Sequence, residues 1–309
     1  MTDTLRPSDS RSRGRTALSR AAETFAKGFI TATGWLAIVV LAAIAAFLVW
    51  NSLRALGEAG LGRIVTGTDW YPTSSPGKFG AAPLIVGSLI VTLVALVVAV
   101  PVGLAAAVYL SEFAGRRLKE VSKAVIEFMA AIPSVVYGLV GVALVVPAVK
   151  RAFALDSGLT ALSGGIVLGV MALPTIVSIS EDALHAVPSS LRHASLALGN
   201  TRWQTTYKVT VPAASSGIFA AVMLGVGRAI GETMAVLMLT GNAAVMPRSL
   251  LESVRTMTGT IAAEMGEVVQ GGTHYSVLFV VGLVLFAATF SINLAADLVL
   301  EKQRKRWGV

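Results

Sequence analysis

The sequence has no cysteine and few charged residues, and both features exclude classes of protein and of functional site. Without cysteine it can build neither a disulfide framework nor a thiolate metal site. Its three histidines, His185, His193 and His274, are too far apart along the chain to predict a metal site. No Walker A sequence occurs, since Gly77-Lys78 is followed by Phe79 and lacks the upstream glycine. The sequence therefore predicts no catalytic residue, metal ligand or cofactor site in this chain.

Apolar residues make up most of what is present. They account for 55% of the 309 residues, charged residues account for 14%, and the mean hydropathy is +0.75. This composition is typical of integral membrane proteins. We therefore expect an all-α integral membrane protein with six transmembrane helices. The six apolar runs are Phe29–Trp50, Pro83–Leu110, Val125–Val146, Gly164–Ile179, Ala213–Leu239 and Tyr275–Leu300.

The same patterns divide the chain into three parts. Residues 1–27 are expected to form a cytoplasmic tail, in which 16–27 is either an amphipathic helix on the membrane surface or an extension of the first span. Residues 28–300 are predicted to form the transmembrane domain. Residues 301–309 form a second, basic cytoplasmic tail.

The positive charge is unevenly distributed along the chain. The net charge is +8, and most of the 25 lysines and arginines lie in segments 1–27, 116–123, 192–208 and 302–306. These segments fall on one side of the membrane if six spans alternate, and the positive-inside rule makes that side the cytoplasm. Both termini are therefore predicted to be cytoplasmic. Topology accounts for the basic excess, so no nucleic-acid partner is predicted.

Three prolines, Pro101, Pro133 and Pro174, interrupt apolar runs. In lipid a proline persists where neighbouring helices or polar side chains satisfy the carbonyl that it frees. These helices are expected either to pack within a bundle or line a cavity, or to be simply kinked.

Acidic residues near the predicted cytoplasmic edge have simpler interpretations. Glu127 is expected to reach the interface or to pair with Lys123, four residues earlier. Glu181-Asp182 is predicted to lie on a solvated helix face.

A short polar stretch at 191–212 separates two apolar runs. A first helix is predicted to begin near Pro188-Ser189-Ser190 and to end at Gly199-Asn200, and a second helix to run from about Arg202 to Pro212. This segment, 188–212, resembles the coupling segment of ABC importer permeases, which has the form Glu-Ala-Ala-x-x-x-Gly followed by Ile-x-Leu-Pro. The alternative is an ordinary cytoplasmic loop that contains a helix.

The resemblance implies that a separate ATPase docks on this segment and binds ATP and Mg. Its contact residues are expected to be His193, Ala194, Ser195, Gly199 and Pro212. His193 replaces the acid of the family pattern and Ser195 replaces the second alanine, so the first position offers no carboxylate to the ATPase.

The fifth apolar run contains two ionisable residues, Arg228 and Glu232. Four residues apart on one helix, they lie on the same face and are able to pair. An arginine in the bilayer centre costs about 2.5–3.5 kcal/mol on insertion scales, so it should face protein or water. The alternative is a pair that only fixes helix packing. Gly227-x-x-x-Gly231 predicts close helix packing around these residues.

Four stretches, Phe79–Leu89, Glu127–Leu139, Gly227–Asn242 and Ser253–Glu267, resemble PstC-type permease subunits of bacterial phosphate importers. The resemblance implies the type I ABC importer permease fold in the inner membrane. It implies that phosphate passes Arg228 and Glu232. The partners expected from it are a PstA-type second permease, a PstB-type ATPase dimer and a PstS-type phosphate-binding protein.

Neutral hydrogen bonds along this path are available from Ser134, Tyr137 and Thr233, each of which is also suited to a core or lipid-edge position. Alternative functions are a permease for another oxyanion, such as sulfate or molybdate, and an ATP-independent secondary transporter. A secondary transporter would not need the coupling segment, because it works without an ATPase. A membrane enzyme is disfavoured because no nucleophile, base or metal ligands are gathered at one face.

The topology is testable with reporter fusions. Fusions at Val309 and within 241–272 should report opposite sides of the membrane, since one predicted span, Tyr275–Leu300, lies between them. A fusion within 1–27 should report the same side as Val309. Reports from one side for both Val309 and 241–272 would contradict the six-span topology.

Overall fold

The computed structural model describes the backbone of residues 10–307 and the side chains of residues 23–298 and 301. Contacts divide the chain into two units, residues 1–51 and 52–309. Helices dominate the described part, with one two-stranded hairpin. The elements are α1 (Ser10–Glu58), α2 (Leu61–Thr66), β1 (Trp70–Tyr71), β2 (Lys78–Phe79), α3 (Ala82–Val108), α4 (Arg116–Ala131), α5 (Ser134–Val140), α6 (Val146–Ala152), α7 (Ala161–His185), α8 (Ser189–Ala197), α9 (Arg202–Thr205), α10 (Val211–Ala213), α11 (Ser215–Gly231), α12 (Met234–Leu239), α13 (Met257–Glu264) and α14 (Thr273–Trp307). Three π-helical turns, Tyr109–Phe113, Gly141–Val145 and Thr206–Thr210, continue α3, α5 and α9.

The first unit consists of the part of α1 before residue 52. Residues 16–27 belong to the same unbroken helix as the apolar run, and both alternatives for this segment stay predictions. Hydroxyl groups within the helix bond to its own carbonyls. Thr31 Oγ1 donates to Lys27 O and Thr33 Oγ1 donates to Ile30 O, each at 2.8 Å. Such bonds satisfy polar side chains inside a hydrocarbon layer.

In the described part of the chain, five helical segments are long and apolar enough to cross a membrane. They are Glu23–Glu58, Ala82–Phe113, Ser134–Ala152, Ala161–His185 and Thr273–Leu298. A sixth span results if Arg202–Ala213 and Ser215–Gly231, which meet at a bend of 70°, are taken together. The predicted number of spans agrees with this arrangement.

Two predicted spans have the wrong continuity. The run Val125–Val146 is broken, because α4 ends at Ala131 and a new helix begins at Ser134, after Pro133. Proline lacks the N–H that would continue α4, and its ring keeps the preceding Ile132 extended. The run Ala213–Leu239 is also broken, at Glu232 and Thr233, between α11 and α12.

Helices α3 and α7 form the centre of the second unit. They approach closely because glycines face the opposing helix. A Cβ added at Gly169 would lie 2.9 Å from Ala95 O, and one added at Gly103 would lie 2.9 Å from Ile176 Cγ2. Small residues allow helix backbones to approach in this way within membranes. Pro101 and Pro174 lie inside these two packed helices, as the bundle alternative expects.

The two ends of the second unit have separate cores. At one end, which we call the loop end, segments 59–81 and 241–272 meet the starts of α3 and α14. Trp70, Leu84, Met257 and Val277 are buried together there. At the other end, which we call the coupling end, α3 and α7 finish and α8 begins. The buried residues at that end include Ala107, Leu110, Leu184, Val187 and Ala214.

Helix α4 is held to α7 by charge. Lys119 Nζ lies 2.6 Å from Glu181 Oε1 and Lys123 Nζ lies 2.8 Å from Glu181 Oε2. The hydrogen bond to Glu181 raises the pKa of the Lys123 ammonium, against the opposing effect of burial. The prediction of a solvated face is right for Asp182, which is exposed, and wrong for Glu181, which is 2% exposed. Lys123 pairs with Glu181 and not with Glu127.

Substitution at Gly169 tests the packing of α3 against α7. In Gly169→Val the new side chain meets the backbone of α3, which cannot move aside as a flexible side chain can. Overpacking of this kind costs about 1–3 kcal/mol. We expect a lower midpoint of thermal unfolding for the detergent-solubilised protein, measured by size-exclusion chromatography after heating.

Gly34→Val is the matched control. It introduces the same side chain into a span, at a glycine whose added Cβ has no described atom within 4 Å. The control should unfold at the parental midpoint. Equal midpoints for Gly169→Val and the parent would contradict the close contact between α3 and α7.

Candidate functional site

Glu232 occupies the break between α11 and α12. Its backbone is extended, with φ −71° and ψ 135°, and its half-buried side chain turns toward α12. Oε1 accepts a hydrogen bond from Ala235 N at 3.2 Å, and the Glu232 carbonyl accepts one from Thr258 Oγ1 at 2.8 Å. The carboxylate therefore satisfies a backbone donor that the first turn of α12 leaves free.

Arg228 lies in the last turn of α11 and is half-buried. Its Nη1 donates a long hydrogen bond, 3.4 Å, to Thr175 Oγ1 of α7. Among the side chains of residues 23–298, no carboxylate lies within 4.0 Å of this guanidinium. The cation thus has one weak neutral partner in the described chain.

This geometry corrects the predicted pairing of Arg228 with Glu232. The prediction assumed one continuous helix, on which residues four apart share a face. Helix α11 ends at Gly231, so Glu232 leaves the helical path and caps α12. The two residues flank the same break without forming an ion pair.

A second break, between α4 and α5, lies at Pro133. Tyr137 spans it, because its hydroxyl donates to Met129 O at 2.8 Å. That carbonyl belongs to the last turn of α4, which proline prevents from continuing its hydrogen bonds. Ser134 opens α5 and is half-buried, and its hydroxyl makes no hydrogen bond to another described residue. Tyr137 has a structural role here, and its predicted place in the substrate path stays a prediction.

The two breaks are neighbours because α5 packs against α12. A Cβ added at Gly138 would lie 2.8 Å from Met238 Sδ and 3.2 Å from Ala235 Cα. Thr233, the residue before α12, keeps its hydroxyl 3.4 Å from Gly231 O. The arrangement gathers Arg228, Tyr137, Glu232 and Thr233 around a pair of interrupted helices, with Ser134 at the start of one of them.

The predicted packing through Gly227 and Gly231 is wrong within this chain. An added Cβ at either position meets no described atom within 4 Å. The two glycines therefore leave open space beside Arg228. The helix contact of α11 is made at Gly225, whose Cβ would lie 2.8 Å from Ile176 Cδ1.

Sequence reasoning missed two hydroxyl residues at this site. Thr175 follows Pro174 in an apolar span, and a polar residue next to a mid-span proline was the available signal. Thr258 lies 26 residues after Glu232, beyond a loop, and no local pattern connects the two.

The coupling segment folds much as predicted. Helix α8 begins at Ser189, and Gly199 adopts φ +86°, a left-handed conformation that glycine takes without strain. His193 and Ala194 are exposed. Ser195 is 4% exposed, and its hydroxyl lies 2.9 Å from Thr205 Oγ1 while accepting from Asn200 Nδ2 at 3.2 Å. Serine in place of alanine at this position ties the two parts of the segment together.

The second part of the segment begins with a capping box. Thr201 accepts from Gln204 N, and the Gln204 side chain accepts from Thr201 N. The helical path then runs from α9 through the π turn into α10. Pro212 does not stop it, because proline is tolerated in the first turn of α10 and the bend follows at Ala214.

An open cavity of ≈ 760 Å³ lies at the loop end of the second unit. Glu264 lies at its wall and accepts from Arg255 Nη1 at 2.7 Å and from Trp70 Nε1 at 3.1 Å. His274 Nε2 lies 2.8 Å from the other oxygen of Glu264. Across the described residues, no group of three or more His, Asp or Glu side chains is placed to hold a metal ion.

Residues 99–306 match the family of binding-protein-dependent transport system inner membrane components. A probable ABC transporter permease of Bacillus subtilis, YqgH, is 41% identical over 263 residues, which cover 84% of this chain and 85% of that protein. The phosphate transport system permease protein PstC of Xylella fastidiosa is 32% identical, with both chains covered fully. PstC 1 of Mycobacterium tuberculosis is 34% identical over 90% of this chain and 94% of its own length.

Solved structures with the same fold include chains of ABC transporters. A chain of the inward-facing MetNI methionine ABC transporter aligns with a TM-score of 0.54 at 21% identity, over 72% of this chain and 94% of that chain. A chain of a bacterial ABC transporter involved in the import of the polysaccharide alginate aligns with a TM-score of 0.54 at 14% identity, over 72% and 79%. The predicted type I ABC importer permease fold is confirmed by this likeness.

Proposed function

The chain belongs to the family of binding-protein-dependent transport system inner membrane components, and we propose that it is a permease subunit of an ATP-driven importer of inorganic phosphate. It is a multi-pass protein of the inner membrane. Relatives named as phosphate transport permeases match it over nearly its whole length, which supports phosphate as the substrate.

The proposal rests on the surroundings of the Arg228 guanidinium. A guanidinium in an apolar span is costly unless an anion or hydrogen-bond acceptors compensate it. The described chain provides Thr175 at 3.4 Å and no carboxylate within reach. The planar guanidinium presents N–H donors that can bind two oxygens of one phosphate. The open space at Gly227 and Gly231 gives such an ion room to approach.

Glu232 supplies a basis for selectivity. Its Oε1 is occupied by Ala235 N, whereas Oε2 accepts no hydrogen bond from a described residue. A free carboxylate oxygen near the path accepts a hydrogen bond from a protonated phosphate oxygen. Sulfate carries no proton to donate at neutral pH, so the same oxygen repels it. Ser134, Tyr137 and Thr233 contribute neutral hydrogen bonds along the path.

The path is shared with a second permease of the PstA type. Helix α5 exposes Val135, Val136 and Leu139, and Met234 at the start of α12 is also exposed. These residues flank the two breaks. An apolar face beside a polar path is suited to packing against another transmembrane subunit, which would close the path against lipid.

The coupling end lies in the cytoplasm with both termini, and segment 188–212 docks on a PstB-type ATPase dimer that binds ATP and Mg. His193 and Ala194 present an exposed face for that contact, and Gly199 shapes the turn behind it. A PstS-type phosphate-binding protein delivers the ion at the loop end. Co-purification with an ATPase distinguishes this assembly from a secondary transporter.

Removal of the Arg228 charge tests the anion site. Arg228→Gln should lower uptake of labelled phosphate by roughly ten- to a hundredfold, because it loses about 1.5–3 kcal/mol of charge-assisted hydrogen bonding. Arg228→Lys keeps the charge but not the fork, so its uptake should lie between the parent and Arg228→Gln. Uptake is measured in vesicles that contain the assembled transporter.

Arg117→Gln is the matched control, since Arg117 is exposed in the first turn of α4 and forms no side-chain ion pair with a described residue. It should transport as the parent does. Parental phosphate uptake by Arg228→Gln would show that Arg228 is a packing residue and would remove the proposed site.

Two substitutions at Glu232 separate its charge from its cap. Glu232→Gln keeps an oxygen for Ala235 N, so the complex should assemble, import phosphate or trap it, and lose about tenfold or more of its discrimination against sulfate. Glu232→Ala removes the cap as well and should lower stability by about 0.5–2 kcal/mol. Competition between labelled phosphate and sulfate measures the first effect, and thermal unfolding measures the second. If Glu232→Gln excludes sulfate as the parent does, the selectivity mechanism is wrong and the anion site stands.

A further inference from the structure

A cluster of polar contacts surrounds Glu112, where α3 reaches the coupling end. Here the helix widens into the π turn Tyr109–Phe113, which Ala114 N closes with a hydrogen bond to Tyr109 O at 2.9 Å. The Glu112 side chain is 11% exposed. A carboxylate so deeply placed requires a charged or hydrogen-bonding partner.

Arg192 of the coupling helix α8 is that partner. Its Nη2 lies 2.9 Å from Glu112 Oε1. The same guanidinium donates to Leu184 O and to Val187 O, each at 2.7 Å, where α7 has come to its end. One side chain, 21% exposed, therefore joins the end of α3, the end of α7 and α8. Such a fork has fixed directions, so its three acceptors hold α8 in one orientation.

The second part of the coupling segment contacts the same place on α3. Arg202 Nη2 donates to Glu112 O at 2.7 Å, and its guanidinium lies 5.8 Å from the Phe113 ring centre. The Trp203 ring lies 6.0 Å from the Phe113 ring. Both parts of segment 188–212 thus attach to two consecutive residues, Glu112 and Phe113.

A continuous packed route leads from this attachment to Arg228. Helices α3 and α7 approach so closely at Gly169 that an added Cβ would lie 2.9 Å from Ala95 O, and such close packing resists sliding. Thr175, the neutral partner of Arg228, lies on α7. A displacement of α8 that is passed to α3 and α7 together would therefore reach the guanidinium in the candidate site.

We propose that Glu112 and Arg192 are a positioning pair that transmits displacement of the coupling segment to α3 and α7. The inference rests on the proposed docking of a separate ATPase on segment 188–212. In this proposal Glu112 acts through Arg192 and is assigned no contact with the transported ion or the ATPase. It fixes Arg192, and its loss would let the segment move without carrying the membrane helices along.

The test compares ATP hydrolysis with ion uptake in one preparation. This chain, its second permease and its ATPase are reconstituted in vesicles with the phosphate-loaded binding protein, and ATP hydrolysed per labelled phosphate imported is measured. Glu112→Gln and Arg192→Gln should each raise this ratio about tenfold, which lies within the usual range of coupling between sites. The double variant should raise it no further than Arg192→Gln alone, because Glu112 acts only through Arg192.

Glu120→Gln is the control. It breaks the ion pair between Arg116 and Glu120 on α4, whose N–O distance is also 2.9 Å. Both of these side chains are exposed. Its ratio should equal that of the parent. If Glu112→Gln does not accumulate in the membrane, Glu112→Asp keeps the charge, shortens the reach and should also raise the ratio.

A parental ratio in Glu112→Gln or Glu112→Asp would overturn the proposal. A double variant whose increase equals the product of the two single increases would also overturn it. So would uptake and hydrolysis that fall together at a constant ratio, since that would indicate a purely structural role. A parent that imports sulfate and not phosphate contradicts the proposed substrate, and the ratio is then measured with sulfate. A parent without ATP-driven uptake contradicts the proposed function and this inference together.

Discussion

Satisfaction of backbone hydrogen bonds in lipid is the constraint on which the rest of this structure depends. An unbroken helix meets it without help, and a broken one requires side chains that replace the missing bonds. Two apolar runs predicted as single spans are broken, and each break has its own replacement. Tyr137 bonds to Met129 O across the first, and Glu232 and Thr258 serve the second. The residues that stabilise the breaks thereby bring hydroxyl and carboxylate groups to a depth where lipid would otherwise exclude them.

The two breaks also show which parts of the fold could be predicted from the sequence. Hydropathy located the apolar runs, but it averages over a window and does not detect two residues that leave the helix. Pro133 marked the first break, although the predicted span ran through it. The second contains no proline, and the Glu232 carbonyl exposed there accepts its hydrogen bond from Thr258, 26 residues later in the chain. Local spacing therefore placed Arg228 and Glu232 on one face, and tertiary hydrogen bonding separated them.

The coupling segment was more predictable because its determinants are local. Gly199 is required where φ is +86°, and Thr201 with Gln204 forms a cap within four residues. Its attachment to α3 was not predictable, since Glu112 lies 80 residues before Arg192 and neither stands in a recognisable pattern. Glu181 shows the same limit. Its two lysines lie on another helix, and only the fold shows that a charged residue there is buried.

The hydrogen bond between Ser195 and Thr205 restricts how this segment can change between homologous transporters. An alanine at 195, as in the family pattern, would leave the Thr205 hydroxyl without its partner in a place where both residues are almost fully enclosed. Valine at 205 would restore the match with alanine at 195, because it replaces the hydroxyl by a methyl group of similar size. The two positions are thus expected to vary as a pair. A chimaera that grafts a relative's docking helix onto this chain should therefore carry both parts of the segment across as one piece.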